Sequence, residues 1–213
     1  FISLSSNWSR MSQEKELLGN LPDFSLLILC GGKAKRLSRR NKPLLPVRVN
    51  GHNKPMIDHI IDACEGALDI IISANTETDA YELRGRVVSD PLSKSGPQGP
   101  LVGILEGLKS CATHHLLVVP GDTPCLEKNW HQRLLRKAAQ IEESVLVAHD
   151  NHRRQNLHCL LPLDVAPSLE TFILKGNHSA RDWLEEVQAI DVLYPRAKMF
   201  LNVNDQADLD QLL

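Results

Sequence analysis

Aromatic residues are scarce in this chain: three Trp, two Tyr and four Phe make up 4% of it. That is too few for the stacked platform on which single-stranded nucleic acid is bound. An excess of positive charge is also missing. Lys and Arg number 24 against 26 Asp and Glu, a net charge of −2, so no global positive field holds a nucleic-acid backbone. Cysteine pairing is absent too. The five cysteines (Cys30, Cys64, Cys111, Cys125, Cys159) are scattered, odd in number and form no C-x-x-C. This argues against a disulfide framework or a zinc site, and for a reducing, cytoplasmic setting. The longest apolar runs, such as Leu26–Cys30 and Leu116–Val119, fall far short of a membrane span. No secretory signal pattern is recognised.

What is present is ordinary globular usage. Of 213 residues, 42% are hydrophobic and 23% charged, enough to bury a core without staples. The length fits one domain, with at most a small appendage. The chain opens at Phe1 and its first Met is Met11. Residues 1–24 are read as an N-terminal extension, partly non-native or flexible, and the first ten are set aside from fold reasoning.

Short apolar strands alternate with amphipathic helices. Strands are expected at Leu26–Cys30, Ile70–Ala74, Val87–Ser89 and Leu116–Val119. Between them, Ile57, Ile60, Ile61 and Cys64 recur at helical spacing and predict a helix over Met56–Gly66. Leu101, Ile104, Leu105 and Leu108 predict another, and Trp130, Leu134, Ala138 and Ile141 a third. Ser144–Val147 and Leu157–Leu161 read as strands joined by the polar loop or hairpin His149–Gln155. A helix is expected around Ala180, Trp183, Leu184 and Val187. A last strand at Phe200–Val203 and a terminal helix at Asp205–Leu213 complete the pattern. The alternation predicts an α/β fold, mostly parallel, with helices on both faces of the sheet.

Two motifs stand where such a sheet does chemistry. Leu29-Cys30-Gly31-Gly32 ends the first strand in two glycines, and Lys33, Lys35, Arg36, Arg39, Arg40 and Lys42 follow within ten residues. Glycines let the backbone approach a ligand closely, and the amides of such a turn make an anion-binding nest. The cluster suits a polyphosphate; a solvated basic loop after an ordinary turn is the plainer reading. The spacing matches neither G-x-x-x-x-G-K-[ST] nor G-x-G-x-x-G, so neither a P-loop NTPase nor a dinucleotide-binding dehydrogenase is supported. Leu116–Pro124 then ends a buried strand in Pro120-Gly121-Asp122-Thr123-Pro124. A carboxylate outside a strand's carboxyl end is well placed for Mg²⁺; an Asx-turn or helix cap is the plainer alternative. Val87-Val88-Ser89-Asp90 repeats the strand-then-Asp pattern, and Ser73-Ala74-Asn75 ends the second strand in hydrogen-bonding side chains. Ser93–Pro100 reads as an active-site loop leading into the helix of Gly96–Gly107. His114-His115, lacking a third ligand nearby, reads as surface. Cys30 reads as a small buried residue and Trp130 and Trp183 as core.

The ordered set resembles the molybdenum cofactor guanylyltransferase family (molybdopterin-guanine dinucleotide biosynthesis protein A). It consists of x-G-G-x-x-x-R, Lys42, strand-Asp, G-P-L-x-G-x-L, G-D-T-P and the late Phe200-Leu201-Asn202-Val203-Asn204, and spans Leu26 to Leu213. The resemblance implies a single nucleotide-binding (Rossmann-like) domain over 25–213. It implies transfer of GMP from GTP to molybdopterin with release of pyrophosphate, with Mg²⁺ as cofactor. By resemblance, Leu29, Cys30 and Gly31 line the nucleotide site, with Gly32 completing the turn. Lys42 is the signature lysine, Ser73 and Asn75 lie on the base side, and Asp90 is a second nucleotide-contacting carboxylate. Asp122 is the magnesium ligand, and Arg36, Lys42 and Asp122 would carry catalysis. Asn202 and Asn204, with the His149–Arg154 segment, fall on the pterin side. Transient contact with cofactor-biosynthesis or acceptor proteins is implied; nucleic acid and membrane are not.

The chain departs from the family at several points. Ser38-Arg39-Arg40 follows Arg36-Leu37 where a glycine is usual, Asn41 precedes the lysine where Asp is common, and Gly121 stands where Cys is familiar. Asp205-Gln206 replaces Thr-Pro after the asparagines. Three other readings are carried. Lys42-Pro43-Leu44-Leu45-Pro46-Val47 is also similar to the corresponding segment of sugar-phosphate nucleotidylyltransferases. A CTP-dependent cofactor relative is the second, although Cys30-Gly31-Gly32 favours the guanine type. A degenerate GTP-binding subunit that delivers cofactor is the third.

Overall fold

The run Phe24–Leu29 is apolar at nearly every position, so it can be stable only with both faces covered. In the computed structural model, which describes residues 21–31, 41–89, 99–141, 143–204 and 206–210, it forms the central strand β1 (Phe24–Leu29). Leu26 and Ile28 enter one core and Leu27 the other, and all three are fully buried. Each such side chain contributes about 1.5–3 kcal/mol on burial. This puts β1 among the most strongly determined parts of the fold.

A hairpin, β2 (Pro46–Val49) and β3 (His52–Pro55), comes next, then α1 (Met56–Ala63), β4 (Asp69–Ser73), α2 (Thr78–Glu82) and β5 (Arg86–Val88). The chain continues through α3 (Pro100–Ser110), β6 (His115–Pro120), α4 (Gln132–Ala138), β7 (Leu146–His149) and β8 (Arg154–Pro162). It ends with α5 (Ala166–Leu174), α6 (Ala180–Glu186), β9 (Ile190–Leu193) and α7 (Gln206–Asp210). Seven strands make one sheet in the order β5-β4-β1-β6-β8-β7-β9. Among the described strands of this sheet, β8 alone is antiparallel to its neighbours. The expected mostly parallel sheet with helices on both faces is therefore found. α1, α2 and α4 cover one face, and α3, α5 and α6 the other.

α3 lies unusually close to the sheet. A Cβ on Gly107 would come within 2.6 Å of Leu27 Cδ2, and one on Gly103 would run into Ser73 Oγ. The two glycines, one turn apart, let the helix approach the middle of β1 at Leu27 and the end of β4 at Ser73.

Some elements differ from expectation. Phe200–Val203 is not a strand: Ala197–Phe200 is a 3-10 turn and 201–204 has no regular structure. Its apolar residues are anchors instead, Phe200 against the aromatic core and Val203 against Val47, Val49 and Met56. Two further features were not anticipated. The β2–β3 hairpin turns at Asn50-Gly51, both with positive φ (49° and 82°), as an Asn-Gly hairpin turn requires. The second is β9, short and amphipathic. The hairpin expected about His149–Gln155 is found: β7 and β8 pair antiparallel across it. Residues 93–98, most of the expected active-site loop, lie outside the described residues. Among the described residues, no helix is long and apolar enough to cross a membrane.

Four histidines are held neutral by this packing. Burial pushes His131 down to about 4, against the backbone carbonyls of Ala63 and Glu65 that favour its charged form. Burial pushes His158 down to about 3 and also lowers His59 and His115 from 6.5. In the unfolded chain these groups bind protons at their ordinary value, so acid favours unfolding. Stability should be complete above pH 6.5 and fall steadily from there toward about 4. Urea midpoints measured across that window test this; a flat profile would contradict it.

Candidate active site

From β1 the chain crosses to β4 and β5 on one side, then returns to place β6 on the other. β1 and β6 therefore flank the switch point, outside whose carboxyl ends an open α/β sheet binds its ligand. Two backbone bonds extend the pairing past the strands: Cys30 N donates to Ser73 O and Gly121 N to Leu29 O, each at 2.9 Å. Leu29, Cys30 and Gly31 thus lie at this mouth, Leu29 partly buried, Cys30 buried and Gly31 exposed. Burial pushes the Cys30 thiol up to about 12, with Asp122's charge adding and contact with the Tyr81 hydroxyl opposing. It is a protonated wall residue, not a nucleophile.

Lys42 and Asp122, eighty positions apart, meet here. Lys42 Nζ donates to Asp122 Oδ2 at 2.7 Å. The lysine is delivered by a 3-10 turn, Lys42–Leu44, whose Pro43 is buried. A Cβ on Gly121 would lie 2.8 Å from Pro43 Cγ, 3.0 Å from Cys30 Sγ and 3.1 Å from Leu29 O. Glycine at 121 is thus a packing requirement: the Cys30 sulfur and the Pro43 ring use the space a side chain would take. The side chains of the ion pair are 20% and 24% exposed. The pair is thus mostly withdrawn from water, and a phosphate that replaces the carboxylate gives the ammonium another charged partner.

The C-terminal segment returns to the same place. Val203 N donates to Asp122 O at 2.8 Å, and with Val203 buried the flanking Asn202 and Asn204 are exposed. Asn204 donates from its backbone N (2.7 Å) and Nδ2 (2.6 Å) to Asp208 Oδ2. These bonds hold the Asp208 carboxyl below its usual range, and the Lys42 charge adds to the effect. α7 rests on β2, so Asn204, Asp208 and Lys42 share one neighbourhood.

The remaining predicted residues are placed differently. Ser73 is buried, its hydroxyl under α3 at Gly103. Asn75 is exposed just past β4, in a loop joined to the lysine's turn by Asn41 Nδ2 donating to Thr76 Oγ1 at 3.4 Å. The His149–Arg154 hairpin is built on Asp150, whose Oδ1 accepts the amides of His152 and Arg153, each at 3.0 Å. Burial raises the Asp150 carboxyl, but those amides and Gln155 outweigh it and hold it low. Gly32, Arg36 and Asp90, with Lys33, Lys35, Arg39 and Arg40, lie outside the described residues. His115 begins β6, at the end away from the site. Sequence reasoning did not single out Pro43, Thr123, His158 or Asp208. Of these, Thr123 and Pro43 sat inside quoted motifs, G-D-T-P and Lys42-Pro43-Leu44-Leu45-Pro46-Val47.

The model of the MobA-like NTP transferase domain family matches residues 26–191. The chain belongs to that family. It is accordingly a nucleotidyltransferase. The "Molybdenum cofactor guanylyltransferase" of Pasteurella multocida is 31% identical over 189 residues, 87% of this chain and 97% of its own. The protein of the same name from Shewanella frigidimarina is 32% identical over 193 residues, 90% and 96% of the two chains. Among solved structures, the molybdopterin-guanine dinucleotide biosynthesis protein A of Archaeoglobus fulgidus superposes with a TM-score of 0.63 at 20% identity, covering 88% of this chain and 96% of that one. That likeness supports the transferase fold alone.

Gly121→Ala in this transferase should force Pro43 away and shift Lys42 from Asp122. Overpacking of this kind costs about 1–3 kcal/mol. A lowered urea midpoint together with slower pyrophosphate release is the expected result, and an unchanged midpoint would show that the contact yields freely.

Proposed function

We propose that this transferase moves GMP from GTP to molybdopterin, releasing pyrophosphate and forming the guanine dinucleotide cofactor. The observation that carries the reading is the Lys42–Asp122 pair at the β1–β6 switch, in a chain whose near full-length relatives bear the guanylyltransferase name. The activity is assigned to the domain expected over 25–213, which Phe24 also joins as the buried first residue of β1.

The terminal phosphate of molybdopterin is already anionic at neutral pH and needs no general base. Its oxygen attacks the α-phosphorus of GTP, the bond to the β-phosphate oxygen breaks, and pyrophosphate leaves with that electron pair. The obstacle is bringing two anions together, so positioning and charge neutralisation dominate. Lys42 gives up Asp122 and turns its ammonium to the triphosphate; Arg36 adds a second cation. Gly31, exposed just past β1, leaves the backbone open to the phosphates. Asn202 and Asn204, exposed on either side of the Val203 anchor, offer hydrogen bonds to the pterin.

The donor set suits Mg²⁺. Asp122 is one partly exposed carboxylate on a strand end, and the described residues hold no group of three or more His, Cys, Asp or Glu that could form a full cage. Mg²⁺ is commonly held this way, by one or two carboxylates plus phosphate oxygens and water. Asp122 would hold the ion, which supplies neutralisation of phosphate charge when bound.

Pyrophosphate release by the purified chain with GTP and molybdopterin is the direct test. Lys42→Ala and Asp122→Ala should each lower turnover by about two orders of magnitude or more while the variants still melt cooperatively. Near-normal release by either would remove its role. Binding of GTP with no release by the wild type would favour the delivery subunit instead. Thermal shifts with GTP, CTP, ATP and dTTP in Mg²⁺ should be largest for GTP; equal shifts would remove the base assignment, and a preference for CTP would favour the cytidylyl relative.

A further inference from the structure

We propose that His158 is a positioning residue that locks the Asp122 turn and the Asn202–Asn204 segment into one register. The proposal rests on the guanylyl-transfer reading above and adds to it a residue outside the phosphate and pterin contacts. His158 sits in β8, the antiparallel strand beside β6, and is 2% exposed. Its Nε2 lies 3.3 Å from Thr123 Oγ1. The Thr123 hydroxyl donates its single proton to Pro120 O at 3.0 Å. Thr123 must therefore accept from the imidazole, which defines the tautomer: the proton is on Nε2. His158 is neutral in this environment, so it has one N–H, and that N–H is used on the turn carrying Asp122.

The other edge of the ring reaches the second half of the site. The His158 and Phe200 ring centroids are 4.9 Å apart at 68°, and those of His158 and Trp130 5.7 Å apart at 77°. Phe200 leads through Leu201 into Asn202, and Val203 N closes back on Asp122 O at 2.8 Å. Two routes therefore run from one imidazole to Asp122: one through Thr123, the next residue in the chain, the other through Phe200 and Val203. An apolar ring would pack as well against Trp130 and Phe200. What histidine adds is the N–H to Thr123, worth retaining in a buried site only if the geometry of that turn matters. For a reaction that aligns two phosphates, it does: a misplacement of about 1 Å can cost about a hundredfold.

The test is steady-state pyrophosphate release by the full chain with GTP and molybdopterin, for wild type, His158→Phe, His158→Gln, Thr123→Val and the double variant His158→Phe/Thr123→Val. His158→Phe keeps the ring and removes the donor. It should lower kcat by about tenfold or more while KM for GTP stays within about twofold. His158→Gln restores an N–H and should recover much of kcat. The double variant should lose no more than the worse single one, because both cut the same link. Wild-type kcat in His158→Phe, equal losses in the Phe and Gln variants, or losses that multiply in the double variant would each overturn the proposal. Should His158→Phe fail to fold, the Gln and Thr123→Val variants still decide it. Thr123→Val should show the same kcat-specific loss, and a normal kcat in it would overturn the link. A wild-type chain inactive with GTP but active with another nucleotide overturns the guanylyl reading, and the same comparison on that nucleotide then decides His158.

Discussion

Gly121 lies where the end of β1, the turn after β6 and the Lys42–Leu44 turn come closest together. A hydrogen in place of a side chain lets Pro43 and the Cys30 sulfur fill one small volume, and the same residue's amide closes on Leu29 O. That packing seats Lys42 against Asp122. The charges a triphosphate needs are thus set by a steric condition in an apolar setting. A triphosphate that takes over the ammonium replaces one anionic partner by another, so the lysine is not left unpaired on exchange.

The second half of the site is organised by return of the chain. The 201–204 segment adds no strand, yet Val203 is buried beside β2 and bonded to Asp122 O. Its two asparagines are exposed on either side of that anchor. The aromatic cluster of Trp130, His158, Tyr194 and Phe200 lies beneath. Few aromatic residues exist in this protein, and those four rings gather under one end of the sheet, where they stiffen the support of the site.

The parallel alternation was legible because β1, β4 and β6 are buried on both faces and read as short continuous apolar runs. The strand-end positions of Cys30 and Asp122 followed directly, since a strand that ends in glycine or proline announces its own carboxyl edge. The β2–β3 hairpin was legible in principle through Asn50-Gly51. The Phe200–Val203 segment was misread because an apolar pair spaced for anchoring looks the same as a short strand until its backbone partners are known. His158 carried no signal at all: an isolated histidine among apolar residues reads equally as tolerated core.

The amino-acid sequence by itself determined the fold class, the family and which side chains stand at strand ends, because these depend on local periodicity and on residues adjacent in the chain. Only the tertiary structure decided which of them meet. Lys42 finds Asp122, Val203 finds Asp122 and His158 finds Thr123 across 80, 81 and 35 positions, and contacts at such separations are set by strand order and close packing, which no local pattern encodes.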